Sequence, residues 1–161
     1  MSGFHSKSSG HGGSFPHDIR TKSGLTNLYN KQVVSSQPVE RPLDAFNGGR
    51  IGRVGVLGAN AAGISTSYSG QRDRAMHSGT LITTSDGGKW LVHKGKEGKS
   101  FDTVVTDAKH MHPDTWRPAG PQQNVGGRAS VSDFVKAGGA KYDVRGANCH
   151  DATRNMQKLG K

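Results

Sequence analysis

Apolar and polar positions alternate most clearly in the middle of the chain, in "HSGTLITTSDGGKWLVHKG". Residues 77–83 and 89–93 are rich in β-forming side chains, and "SDGG" lies between them. Asp-Gly and Gly-Gly readily take positive φ, so this stretch predicts a β-hairpin. "SFDTVVTDAKHM" predicts a third strand around residues 103–106. "HPDTWRPAGPQQNVGG" is punctuated by Pro and Gly and reads as loop. "SVSDFVKAGG" reads as a short helix that Ser130 or Ser132 caps and Gly138 ends. A turn, "AKYDVRGA", leads into a last helix, along which Cys149, Ala152, Met156 and Leu159 recur at helical spacing and share one inward stripe. Asn148 is a favourable N-cap. Asp151 and Lys158 complement the two ends of that helix, and Gly160 supplies the stop.

The first third of the chain lacks such patterning. Residues 1–48 are rich in Ser, Gly, His and Lys without a sustained period and predict a flexible tail. Only "LTNLYNKQVV" offers a short helix or strand there. From Gly48, "GGRIGRVGVLGANAAGISTSY" suggests one or two strands, or a strand and a small-residue helix. Gly55 and Gly58 lack the third glycine of a dinucleotide-binding loop. The organisation expected is a basic tail over 1–48 and one folded domain over 49–161. The fold class expected is α+β: a small antiparallel sheet of about four to six strands, with the cysteine-bearing helix packed across it.

Composition supports a chain that folds only in part. Hydrophobic residues are 31%, against a usual apolar share of ~45–50%. The net charge is +10, but the basic residues are spread out, with no run longer than "KGKEGK". Such a field attracts an acidic partner or an anionic surface. No aromatic-flanked basic motif is present, so no specific nucleic acid is expected. No stretch approaches the ~20 apolar residues of a membrane span. The first residues, "MSGFHSKSSGHGGSFPHD", lack the apolar core of a secretory signal, and a cytoplasmic location is the expectation, with export by another signal left open. A single cysteine excludes an internal disulfide framework.

That cysteine, Cys149, falls in the first turn of the last helix, where the positive helix end lowers a thiol pKa. The alternative is a small apolar residue packed at a helix start. A nucleophilic thiol needs a base within hydrogen-bond reach and a third group to orient it. The candidates are His77, His93, His110, His112 and His150. His150 follows Cys149 directly and points about 100° away around a helix, which places it poorly as base. The hairpin offers a geometric condition for the first two. A five-residue loop over 84–88 pairs Thr83 with Lys89 and Gly79 with His93. His93 then lies diagonal to His77, and Gly79 leaves room for the ring. A three-residue loop separates the two by ~13 Å, and an even-numbered loop puts them on opposite faces.

These elements resemble the permuted papain-like cysteine enzymes, especially the NlpC-type and lecithin:retinol acyltransferase-like families. His77-Ser78-Gly79-Thr80-Leu81 is similar to their "H-x-G-x-(hydrophobic)" strand, "WLVH" ending at His93 to the next strand, and Asn148-Cys149 to the helix opening that carries the nucleophile last in the chain. Ser78 replaces the usual aromatic, and "NCHDA" stands where the acyltransferase type reads "N-C-E-H-F". The resemblance implies Cys149 as nucleophile, His77 as general base and His93 as its orienter. It also implies a thiol hydrolase or acyltransferase acting on an acyl- or peptide-containing substrate, by amide, ester or thioester chemistry, with no cofactor and no metal. The alternative function is a noncatalytic binding module of the same fold, holding an acidic partner through its basic surface.

Other assignments compete for the same residues. Asp107 replaces His93 as orienter if the third strand lies beside His77. Zinc could use Cys149, His77 and His93, with His110 and His112 as a further pair, although the close ligand spacing of structural sites is missing. His5, His11, His17 and Asp18 offer a loose metal set. Trp90 and Val92 lie on the strand face opposite His93 and are expected in the core, whereas Trp116 is a candidate wall for substrate.

Overall fold

The computed structural model describes residues 19, 21–42, 67–70, 76–97, 100–139 and 148–160. Among these residues three α-helices and six strands follow in the order α1 (Lys22–Asn30), β1 (Gln32–Pro42), β2 (Met76–Thr84), β3 (Lys89–Glu97), β4 (Ser100–Asp107), β5 (Arg117–Pro118), β6 (Gln123–Ser130), α2 (Val131–Gly138) and α3 (Cys149–Gln157). The strands form one six-stranded sheet in which every pairing is antiparallel. The coarse expectation, α+β with a small antiparallel sheet, matches what the chain forms.

The division at residue 48 does not hold. α1 and β1 belong to the folded domain, and β1 is the strand on which the sheet is assembled. It pairs with β2 along one side and with β6 and β5 along the other. "LTNLYNKQVV" is both of the things it was read as, helix through Asn30 and strand from Gln32. Thr21 caps α1 by accepting from Gly24 N–H at 3.1 Å. The expected elements of 49–66 and the turn of 140–147 lie outside the described residues. The stretch read as loop after His112 also yields strands: Arg117 and Pro118 pair with Glu40 and Val39, and Gln123–Ser130 forms β6.

The hairpin follows its local chemistry. Gly87 takes φ 86° in the turn, a conformation that glycine adopts without steric cost. Thr83 then pairs with Lys89 and Gly79 with His93, the register that places the two histidines diagonally.

One face of the sheet carries the core. Val33, Ile82, Val92, Val105 and Val125 pack there against Leu28 of α1, Phe134 of α2 and Met156 of α3. Trp90 joins this cluster, as its strand position implied. Both α2 and α3 open with a capping box, through Ser130 with Asp133 and Asn148 with Asp151. Lys94 is buried and donates from Nζ to the Gly138 carbonyl at 2.9 Å, so its charge lies against the negative end of α2.

Candidate functional site

The site is organised by the start of β2, where consecutive residues point to opposite sides of the sheet. Ser78 and Thr80 face α3: the Ser78 hydroxyl lies 2.8 Å from His150 Nδ1 and 3.2 Å from Thr153 Oγ1, and Gln157 Nε2 donates to Thr80 Oγ1 at 3.0 Å. His77 and Gly79 face the other way. On that side His77 Nε2 and His93 Nδ1 are 2.9 Å apart, one ring donating to the other. A Cβ on residue 79 would stand 2.8 Å from the His93 Cβ, so glycine there makes room for the pair. The Trp116 ring closes over both imidazoles, with centroids 5.8 Å from His77 and 6.5 Å from His93.

Asn148 makes the start of α3 by accepting from His150 N–H at 2.9 Å and Asp151 N–H at 3.0 Å. This fixes Cys149 as the first helical residue, 5% exposed. Its sulfur meets the backbone N–H and hydroxyl of Ser78 together with the amide N–H groups of Cys149 and His150. These donors favour the thiolate, but burial outweighs them and pushes the thiol above its ordinary value. The expectation of a thiol acidified by its helix end is therefore overturned. The helix-start donors act, but removal from water costs the charged form more. Cys149 rests as a neutral thiol.

The imidazoles also rest neutral. His77 is held well below the ordinary histidine value, first by burial and then by the like-charge cost of protonating it beside His93, Arg41 and His150. His93 is lowered to about 4 by burial and by Arg41. No hydrogen bond joins Cys149 to His77 among the described residues. The structure thus brings His77 to His93, and Cys149 to Ser78, the next residue along the strand.

His150, read as poorly placed to act as base, is 3% exposed and engaged with Ser78. Thr153 donates its own proton to the Cys149 carbonyl at 2.9 Å. The single Ser78 proton is then shared between Thr153 Oγ1 and the Cys149 sulfur, and in either case His150 Nδ1–H is the donor toward Ser78. This buried relay was not foreseen. Its only signal was that Ser78 and Thr153 are small hydroxyl residues where an apolar residue would fit a core face.

Asp107 does not orient His77, because β4 lies beside β3 and not beside β2. Its carboxylate instead accepts from Lys109 N–H at 3.0 Å. His110 and His112 are exposed. Among the described residues no group of three or more His, Cys, Asp or Glu side chains is arranged to hold a metal. The early set of His5, His11, His17 and Asp18 lies outside the described residues. No described helix is long and apolar enough to cross a membrane. No family model matches the chain, and neither a curated protein nor a solved structure matches it.

Proposed function

We propose that this chain is a cysteine hydrolase or acyltransferase of the permuted papain-like kind, acting through Cys149, His77 and His93. The observation that carries the reading is the 2.9 Å His77–His93 contact at the strand start whose next residue, Ser78, holds the Cys149 sulfur at a helix N-terminus. For His77 to accept a proton at Nδ1, its Nε2 must carry one and donate it to His93 Nδ1. His93 is then the Nε2–H tautomer, and its role is to fix the ring of His77.

The raised thiol and lowered imidazole give the reaction its order. Neither group is charged before substrate arrives, so there is no resting thiolate–imidazolium pair. Sulfur attacks the carbonyl carbon as His77 removes its proton, and the same proton then passes to the leaving amine, alkoxide or thiolate. Water or another nucleophile afterwards releases the acyl group, with His77 again as base. The backbone N–H groups at the start of α3 are the donors nearest the developing oxyanion. The proton step requires the His77 and Cys149 side chains, which start from opposite sides of β2, to meet at the start of that strand, and catalytic contacts often tighten only with substrate bound.

The test is acylation with an activated ester, followed by intact mass and peptide mapping. The reading expects a thioester on Cys149 that forms at pH 7 and is lost in Cys149→Ser. His77→Gln should slow its formation by about 100-fold or more. Equal rates in the wild type and His77→Gln overturn the assignment and leave the binding module, whose salt-sensitive hold on an acidic partner survives Cys149→Ala.

A further inference from the structure

Arg41 stands directly across from His77, as its registered partner on β1, so the two side chains share a sheet face. Its guanidinium carbon lies 5.6 Å from the centre of the Trp116 ring, the same ring that covers His77 and His93. No carboxylate pairs with Arg41 among the described residues. Its chain neighbour Glu40 points to the other face, where it accepts from Tyr68 N–H at 3.2 Å, Ser69 N–H at 3.3 Å and the Ser69 hydroxyl. Both Arg41 and Trp116 are only partly buried. A partly exposed cation thus lies over an aromatic wall, beside two imidazoles that stay neutral, with no carboxylate partner among the described residues.

We propose that Arg41, backed by Trp116, is a binding subsite for a carboxylate carried by the substrate close to its scissile carbonyl. The planar guanidinium offers paired N–H donors that match a carboxylate, and its place over the indole limits where they point. A carboxylate seated there neutralises the one positive charge that bears on both His77 and His93. Binding of the right substrate therefore also strengthens the base that must take the thiol proton. Neutral acyl donors gain neither effect. The word substrate rests on the enzyme reading above; the subsite itself can be tested without turnover.

The experiment uses isotope-labelled Cys149→Ser protein, which has no thiol to acylate. N-acetylglycine, the neutral N-acetylglycinamide and inorganic phosphate are titrated in turn while the ring signals of His77, His93 and Trp116 are followed by NMR. N-acetylglycine is expected to shift all three saturably and to raise the titration midpoints of both histidines, and N-acetylglycinamide to do neither. Arg41→Met should weaken that binding by about 10- to 100-fold, with Arg41→Lys in between. Trp116→Leu serves if Arg41→Met fails to fold, and should also weaken it. Equal shifts with the amide, an unchanged response in Arg41→Met or Trp116→Leu, or a response to phosphate alone overturns the proposal. Binding of N-acetylglycine without any acyl-thiol in the wild type removes the enzyme reading and leaves the subsite. An acyl-thiol without carboxylate binding removes the subsite alone.

Discussion

Gly79→Ala probes the packing on which the histidine pair depends. The new Cβ would lie 2.8 Å from the Cβ of His93, 3.0 Å from the Val92 carbonyl oxygen and 3.1 Å from Leu91 Cδ1. Two of the three belong to β3 atoms that cannot rotate away, so the strand must shift. Overpacking of this kind costs about 1–3 kcal/mol. Gly79 has no positive φ, so alanine also gains about 0.4–1 kcal/mol by restricting the unfolded chain. The net expectation is a loss of roughly 1–2 kcal/mol, together with movement of His93 away from His77. Urea unfolding measures the first, and the 15N ring shifts of His77, which report tautomer and hydrogen bonding, measure the second. Gly87→Ala is the control. It meets nothing within 4 Å but has φ 86°, so it should cost about 1 kcal/mol by backbone strain and leave the histidine signals in place. The reasoning fails if Gly79→Ala is as stable as the wild type with His77 unchanged, or if both variants disturb His77 alike.

Three further outcomes follow from the same contacts. Because His93 titrates at about 4 in the fold and near ~6.5 when unfolded, the unfolded chain binds more protons between these values. Stability should then be full above the upper value and fall by on the order of 3 kcal/mol as pH drops to the lower one; urea midpoints across this range should flatten in His93→Gln, and no flattening refutes the assignment. Asn148→Ala removes the acceptor for His150 N–H and Asp151 N–H, so thermal unfolding should report a loss of about 1–2 kcal/mol, and a loss near zero denies the cap its role. Ser78→Ala takes away one donor to the Cys149 sulfur and one partner of His150. The thiol should titrate still higher, seen as slower iodoacetamide labelling at pH 8 than in the wild type, whereas faster labelling contradicts the place given to Ser78.

How much was legible depends on how local the deciding interaction is. The hairpin register was readable because Asp-Gly-Gly fixes the turn, and a fixed turn fixes every pair beyond it, including Gly79 with His93. The start of α3 was readable because an Asx cap and the acidic residue three places later are chemistry within one turn. β1 was not readable. "QVVSSQPVERP" shows no alternation because it lies inside the sheet, with neighbours on both edges and polar residues such as Ser36 and Glu40 buried by them. β6 was hidden in the same way, since the two glycines that suggest a loop instead take positive φ within a strand that β1 completes.

The sequence by itself determined the short-range facts: a tight turn, two helix caps, and a thiol with a histidine-bearing hairpin in one chain. The tertiary structure decided the charge states. Burial turned the helix-start cysteine into a neutral thiol and tied His150 to Ser78, and sheet pairing set Arg41 against His77 from a segment 36 residues earlier. Backbone turns and caps are settled by atoms a few bonds apart, whereas the cost of a charge depends on every group that excludes water from it, and those groups come from the whole chain.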